Sequence, residues 1–528
     1  MLCHTIWTIG GGSQIQDMDK FVEMIAKING IVNDFVWVKI GLVLLLGTGI
    51  LLTCCTKFFQ LSHISHWWKN TIGSVFKRGS AATKKTDKQT ISQFQALCTA
   101  LAATIGTGNI AGVSAAIVIG GPGAVFWMWV AAFFGMMTNF SENVLGIYYR
   151  RRNSKGEWSG GAMYYLEDGL GKKIHSRALG KILGILFSIC VLLASFGIGN
   201  MGQVNKITLN MQSAFFSGVH APKLGDVSVI NIAIGIVLMI VAALIIIGGI
   251  QRIAAVAERI VPFMAVLYVV GALIVVDTHI GQVGAMFASI FKFAFGIKAV
   301  GGAVVGIALK EVITQGCKRG VFSNESGLGS SVMVHSASNV KEPVKQGMWG
   351  IFEVFFDTFV VCTITAIVVL SSGYINLETG IAAEGVNDAT LVASAFGNVF
   401  GKGGEIFIAL AMLLFAFTTV LGWSQYGTKA IEYLFGEKVV PVYKVIFVLM
   451  IISGAVMTST LAWDISDTFN GMMMIPNLIG VLTLFPMVMR ITKNYVDRKI
   501  RGKKIEPMLS YDSSIQKEMA EAIENGEE

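Results

Sequence analysis

Charge is scarce in this chain. Only 14% of its 528 residues are Asp, Glu, Lys or Arg, while 54% are hydrophobic and the mean hydropathy is +0.65. Soluble domains carry about 25% charged residues, so the composition excludes a water-solvated globule and makes lipid the solvent for most of the sequence. Proline is equally sparse at 8 residues against 60 glycines. That balance suits helices that pack backbone to backbone in a membrane, not barrel strands. The 7 cysteines (Cys3, Cys54, Cys55, Cys98, Cys190, Cys317 and Cys362) show no metal-ligand spacing, and they read as small buried hydrophobes. The opening MLCHTIWTIGGG lacks a basic segment followed by an apolar one, so no cleaved signal peptide is expected. Nowhere do a nucleophile and base, or a metal-binding cluster, converge in the sequence, which argues against an enzyme.

What is present is a series of apolar runs near 36–56, 92–119, 123–149, 180–201, 228–248, 257–276, 283–316, 347–371, 404–424, 442–460 and 468–490. Each meets or approaches the roughly 20 residues needed to cross a bilayer, so eleven transmembrane helices are expected. The net charge of +8 lies between these runs. Lys57, Lys69, Lys77, Arg78, Lys84, Lys85 and Lys88 face a lone Asp87 in the first loop, which the positive-inside rule assigns to the cytoplasm. Alternation then puts Arg150–Lys173, Arg252 and Arg259, Lys318 and Arg319, and the tail from Arg490 inside, with the N-terminus outside. Two of the expected outer segments carry acids and no Lys or Arg: Glu378, Glu384 and Asp388 in one, Asp464 and Asp467 in the other. Met18–Val38 reads as a short interfacial helix or a disordered start, and the tail from Lys517 as a solvated helix or frayed end.

Two spans carry helix-breaking residues. Gly106 and Gly108 interrupt the second, in Thr104-Ile105-Gly106-Thr107-Gly108-Asn109, each costing about 1 kcal/mol of helix relative to Ala. The seventh, 283–316, is too long for one straight crossing and is punctuated at Phe295-Gly296-Ile297 and Gly301-Gly302. Interrupted backbone survives at membrane depth only where it is buried in protein or lines a cavity. If 92–276 and 283–490 are two sets of five spans, each opens on a broken helix and the odd count inverts one against the other. That arrangement points to a site at the midplane. Segment 1–35 would precede an extra helix at 36–56, and 491–528 would be a cytoplasmic tail. A half-helix starting near Asn109 offers free N–H groups and a positive dipole end to an anion, and one ending near Ile105 offers carbonyls to a cation.

Several long stretches resemble one family. GTGNIAGVSAAIVIGGPGAVFWMW (106–129), SFGIGNMGQVN (195–205), GGIQRIAAVAERIVPFMA (248–265), KRGVFSNESGLGS (318–330) and FTTVLGWSQYG (417–427) are similar to the alanine/glycine:cation symporters, in the same order. The resemblance runs from about Val36 to Arg490. It implies an all-α, polytopic fold of the amino acid, polyamine and organocation superfamily, with a 5+5 inverted repeat after one extra N-terminal helix. The implied activity is import of small neutral amino acids with sodium as co-substrate across the cell membrane, by alternating access, without a cofactor or nucleic acid. Proton coupling, or glutamine as cargo, is the alternative on the same fold. The sequence departs from the family pattern at Ala162, at Ser331-Val332 and at Val204 and Lys206 in Gln203-Val204-Asn205-Lys206, positions that bear on substrate choice.

The resemblance implies that Thr418 and Thr419 add two hydroxyls to a sodium site built from the carbonyls of Thr104 and Ile105, since sodium prefers hard oxygen ligands. From the residues alone, back-bonding of the pair to its own helix is the favoured reading. Thr107, Gly108, Asn109 and Gln203 are expected at the substrate. The Gln203 amide could donate to a carboxylate or accept from an ammonium, and Asn109 and Thr107 could instead cap the half-helix. Trp423, Phe295 and Met412 are candidates to close a small pocket. Asp357, an acid within a span, is expected either to couple the cation or to make structural hydrogen bonds, because burying it costs roughly 2.5 to 3.5 kcal/mol. Glu142 and Glu353 are placed near span ends, within reach of the interface, and His335 reads as an ordinary loop residue.

Overall fold

The structure, a computed structural model, describes residues 12–525 except 78, 79, 81, 85–88, 220, 221, 225, 226, 296–308, 386, 387 and 458–460. Among the described residues, nine helices are long and apolar enough to cross a membrane, and a bent pair makes a tenth crossing. The fold is all-helical apart from two-residue strand pairs.

Helix α1 begins at Gly12–Asp34 and runs through a π-helical turn, Phe35–Gly41, into Leu42–Cys55. The expected separate interfacial helix is therefore the start of the first span. No Gly or Pro interrupts Ile31 to Ile40, and Asn33 and Trp37 there are held by protein. Asn33 Nδ2 donates to Asp467 Oδ2 (2.9 Å) and Thr468 Oγ1 (3.0 Å), and Trp37 Nε1 to the Asp467 carbonyl (3.3 Å).

Helix α2 (Gln93–Thr104) starts on a capping box in which Ser92 and Gln95 exchange backbone and side-chain bonds. After the Gly106 break it continues, bent by 54°, as α3 (Gly108–Gly120). Then follow α4 (Gly123–Tyr148), a hairpin pairing Arg151–Arg152 with Trp158–Ser159, α5 (Arg177–Phe216), α6 (Val229–Ile246), α7 (Gly249–Asp277) and α8 (Val283–Phe293). Helices α6 and α7 show bare aliphatic faces, with Val237, Leu244, Phe263 and Val266 at least 60% exposed. Apolar side chains left outside a packed core are what lipid contact requires.

Among the described residues a second helix break follows Asn324. It ends α9 (Leu309–Asn324), which is not among the long apolar crossings and stops at an irregular stretch before α10 (Val332–His335). Gly296, Ile297, Gly301 and Gly302 fall outside the described residues. Helix α9 packs closely on α4: a Cβ on Gly316 would lie 2.3 Å from the Ala124 carbonyl oxygen. Lys318 and Arg319 are thus inside a helix, not in a loop. Lys318 Nζ bonds Asp467 Oδ2 at 2.9 Å and Asn33 Oδ1 at 3.3 Å, so it sits at the end of the molecule opposite the other basic segments.

Next come α11 (Pro343–Ser371), α12 (Asp388–Phe400), α13 (Lys402–Phe435), α14 (Val440–Val456), α15 (Leu461–Lys499) and α16 (Ser513–Glu524). The remaining basic loops gather at one end. His66 meets Tyr495 (3.2 Å), Asn339 Nδ2 donates to the Lys84 carbonyl (2.8 Å), and Tyr511 N donates to the Tyr148 carbonyl (3.1 Å). The tail is neither frayed nor fully solvated, because Leu509, Ile515 and Met519 of its amphipathic segment bury against Trp158 of the hairpin.

Candidate functional site

The two breaks face each other. Helix α2 ends with Ile105 at φ −77°, ψ 89°, outside the helical region. Glu325, just past α9, stands at φ +55°, and Gly327 and Gly329 follow at +87° and +73°. Three left-handed residues within five positions end a helix decisively. A Cβ on Gly108 would meet the Phe322 ring at 3.1 Å and Ser323 Cα at 3.6 Å, so the first break rests directly on the end of α9.

Between them is a small cavity lined by Thr104, Gly106, Thr107 and Gly108 of the first break, Phe322 and Glu325 of the second, and Gln203, Thr419, Trp423 and Asn470 from α5, α13 and α15. Ala103 and Ile198 complete the wall. It combines a few polar atoms with apolar walls, the make-up of a small-molecule site.

Gln203 is 2% exposed. Its Nε2 donates to the Ile198 carbonyl at 3.1 Å, while its Oε1 has no hydrogen-bond partner among the described residues. That fixes the amide's orientation: the free atom is an acceptor. The Asn109 amide is held by protein at both ends. Its Oδ1 accepts from Gly106 N (2.9 Å), and its Nδ2 donates to Asp357 Oδ1 (2.6 Å). It does not line the cavity. Asp357, fully buried, also accepts from Ser323 Oγ (2.8 Å) and Thr358 Oγ1 (3.0 Å), so one carboxylate joins both breaks.

The threonine pair divides. Thr419 lines the cavity, and its Oγ1 lies 2.5 Å from where a Cβ on Gly106 would stand. Its hydroxyl donates to the Phe415 carbonyl at 3.0 Å, which leaves oxygen lone pairs free toward the break. Thr418 bonds back to the Leu414 and Phe415 carbonyls (3.0 Å each) and approaches Met264 Sδ at 3.6 Å, away from the cavity. Ile105 is buried behind the wall.

Phe295 is not brought to the site. It is 65% exposed and packs on Phe126 and Trp127. Met412 is buried but outside the lining. Glu142 and Glu353 do not reach the interface. Glu142 is 1% exposed and accepts from Asn477 Nδ2 at 2.5 Å, and Glu353 is fully buried beside an equally buried His335 (2.9 Å). His335 is therefore a core residue.

Sequence reasoning missed Glu325 and Asn470 as site residues. A signal for Glu325 was available in Gly327 and Gly329, which follow it closely.

The sequence pattern of the sodium:alanine symporter family matches residues 22–508. The chain is 44% identical over 464 residues to the sodium/alanine symporter AgcS of Methanococcus maripaludis, covering 88% of this chain and 96% of that protein. It is 36% identical over 483 residues to the probable sodium/glutamine symporter GlnT of Bacillus subtilis, covering 91% and 93%. Among solved structures, MhsT in complex with L-phenylalanine shares the fold at a TM-score of 0.51 and 14% identity, covering 77% of this chain and 99% of that one.

Proposed function

The chain belongs to the sodium:alanine symporter family, and on that premise we propose that it imports small neutral amino acids of the alanine and glycine type with sodium, by alternating access. Sodium-coupled amino acid transport is the activity of the family; the small cargo is our reading of the cavity. The observation that carries it is the cavity enclosed by both helix breaks, where Phe322 and Trp423 leave only a compact space beside Gln203 and Thr419.

The first N–H groups of α3 have no intrahelical acceptor and lie at the positive end of its dipole, which suits the substrate carboxylate at Thr107 and Gly108. The end of α2, with the carbonyls of Thr104 and Ile105, faces the opposite polarity, and Thr419 adds its hydroxyl oxygen for sodium. Thr418 would then act through helix packing. Asp357, which ties Asn109 to Ser323, is the candidate coupling residue. With the basic end in the cytoplasm and Lys318 and Asp467 toward the outside, inward sodium would gain about 2.3 kcal/mol per charge per 100 mV of inside-negative potential.

Glutamine as cargo is the second reading, favoured by the likeness to GlnT. Uptake of labelled alanine into proteoliposomes, with unlabelled alanine, glycine, serine and glutamine as competitors, separates the two. Dominant competition by glutamine would replace the small-cargo reading, and equal uptake in choline at several pH values would remove sodium.

A further inference from the structure

The chain leaves its first span on a forced turn. Helix α1 stops at Cys55, and Lys57 and Phe58 follow at φ +56° and +55°, a left-handed conformation that non-glycine residues rarely take. Two such residues in a row swing the chain sideways into three short helices, Phe59–Ser62, Ile64–Asn70 and Ile72–Val75. One face of this segment is packed on protein. The Phe59 ring lies 5.2 Å from that of Phe140 on α4, and on α11 Trp67 lies 6.3 Å from Phe355 and Trp68 6.1 Å from Phe352. Phe59, Gln60, Trp67 and Thr71 are buried.

These contacts fall on the flanks of the long helices, not on their ends. With a rise of about 1.5 Å per residue, Phe140 stands about 12 Å inside the end of α4 at Tyr148, and Phe352 and Phe355 stand about 14 and 18 Å in from the start of α11 at Pro343. A headgroup layer is only about 5 to 8 Å thick. The segment therefore lies level with the boundary between headgroups and acyl chains.

Its other face is bare and apolar. Phe58, Leu61, Ile64, Trp68 and Phe76 are each at least 44% exposed. Lys57, Lys69 and Lys77 are exposed along the same stretch, and no Asp or Glu occurs from Lys57 to Thr86. Apolar side chains with lysines at their margin and no acid suit a bilayer that carries anionic headgroups. Aromatic rings settle at headgroup level, aliphatic side chains enter the acyl region, and lysine stems reach back toward phosphates. A soluble protein would have to meet this face at a depth that lipid already fills.

We propose that residues 57–77 form an in-plane lipid-binding segment that selects anionic headgroups through Lys57, Lys69 and Lys77. The inference goes beyond sodium-coupled transport and is independent of which amino acid is carried. Each lysine close to an anionic surface strengthens the attraction roughly fivefold.

The test is tryptophan quenching in the full-length protein reconstituted into phosphatidylcholine vesicles, with the Trp68 signal taken as the difference between the wild type and Trp68→Phe. Brominated phosphatidylglycerol or brominated phosphatidylcholine is included at the same low mole fraction. Both lipids are expected to quench Trp68, the anionic one as strongly as if it were enriched at least fivefold at the segment. Leu61→Trp, at an exposed position, should add a signal with the same preference. The triple change Lys57→Gln, Lys69→Gln and Lys77→Gln should abolish the preference while quenching by phosphatidylcholine stays, which shows that the segment still folds into lipid. Equal quenching by the two lipids, or a preference that survives the triple change, would overturn the proposal. Quenching by acrylamide and by neither lipid would place this face in water, open to a soluble partner, and overturn it too. Millimolar inorganic phosphate that removes the preference at constant ionic strength would assign the lysines to free phosphate instead of a headgroup.

Discussion

Asn109 and Asp357, 248 residues apart, share a 2.6 Å hydrogen bond that joins the first helix break to α11, and Ser323 at the end of α9 donates to the other oxygen of the same carboxylate at 2.8 Å. Removing the charge but not the shape should show what this junction does. Asp357→Asn is expected to cut sodium-driven uptake at least tenfold, while the protein inserts and remains monodisperse. If the carboxylate contributes to cation binding, sodium half-saturation rises with it. An unchanged sodium curve beside a lowered melting temperature would instead assign Asp357 to holding the two breaks together.

Thr419 and Thr418 are adjacent in sequence yet differ in what they touch, which makes them a built-in control. Losing one buried polar interaction costs roughly 1 to 3 kcal/mol, and each 1.4 kcal/mol is tenfold in affinity. Thr419→Val should therefore raise sodium half-saturation by about ten- to a hundredfold. Thr418→Val, whose hydroxyl bonds only within its helix and near Met264, should change it by less than about threefold on the same scale. Linkage requires alanine affinity at low sodium to fall with Thr419→Val as well. Equal effects at both positions would count against a cation site at Thr419.

Gly106 offers a steric test of the same contact. A Cβ there would stand 2.5 Å from Thr419 Oγ1, whereas one on Gly108 would meet the edge of the Phe322 ring at 3.1 Å. An aromatic side chain can yield a few tenths of an ångström, but a hydroxyl fixed to its own helix yields less. Gly106→Ala is expected to abolish uptake, and Gly108→Ala to weaken it and Gly108→Val to abolish it. Normal uptake by Gly106→Ala would mean that the breaks do not meet α13 as described.

The fold was largely legible because apolar runs and basic loops report burial in lipid directly, and the first break was legible because Gly106 and Gly108 stand in an otherwise continuous helix. The break at Glu325, Gly327 and Gly329 is harder to read, because a non-glycine residue takes its first left-handed position. The place of Lys318 within a helix leaves no local signal, because its partner Asp467 comes from a distant helix. Phe295 and His335 differ from expectation in opposite directions, one exposed on the distant Phe126 and Trp127 and one buried against Glu353 and Gln346 of the next helix, contacts that no local periodicity announces.

His335 gives the last prediction. Both it and Glu353 are fully buried, and Gln346 Nε2 lies 2.5 Å from His335 Nδ1 while His335 Nε2 lies 2.9 Å from Glu353 Oε2. Gln346 in turn accepts from Ser338 Oγ at 3.0 Å. With the glutamine donating to Nδ1, the proton sits on Nε2 and points at the carboxylate. The second carboxylate oxygen, Glu353 Oε1, has no hydrogen-bond partner among the described residues, so the histidine carries much of the compensation. Removing one partner of a buried pair costs roughly 3 to 5 kcal/mol if it leaves a charge stranded, whereas replacing both costs much less. His335→Ala should therefore lower the apparent melting temperature more than the double change His335→Ala with Glu353→Leu. Alanine affinity of the protein that remains folded should be unchanged, because neither residue lines the cavity. A double variant as unstable as the sum of the two single ones would show that the pair is not coupled and that each residue matters for its packing alone.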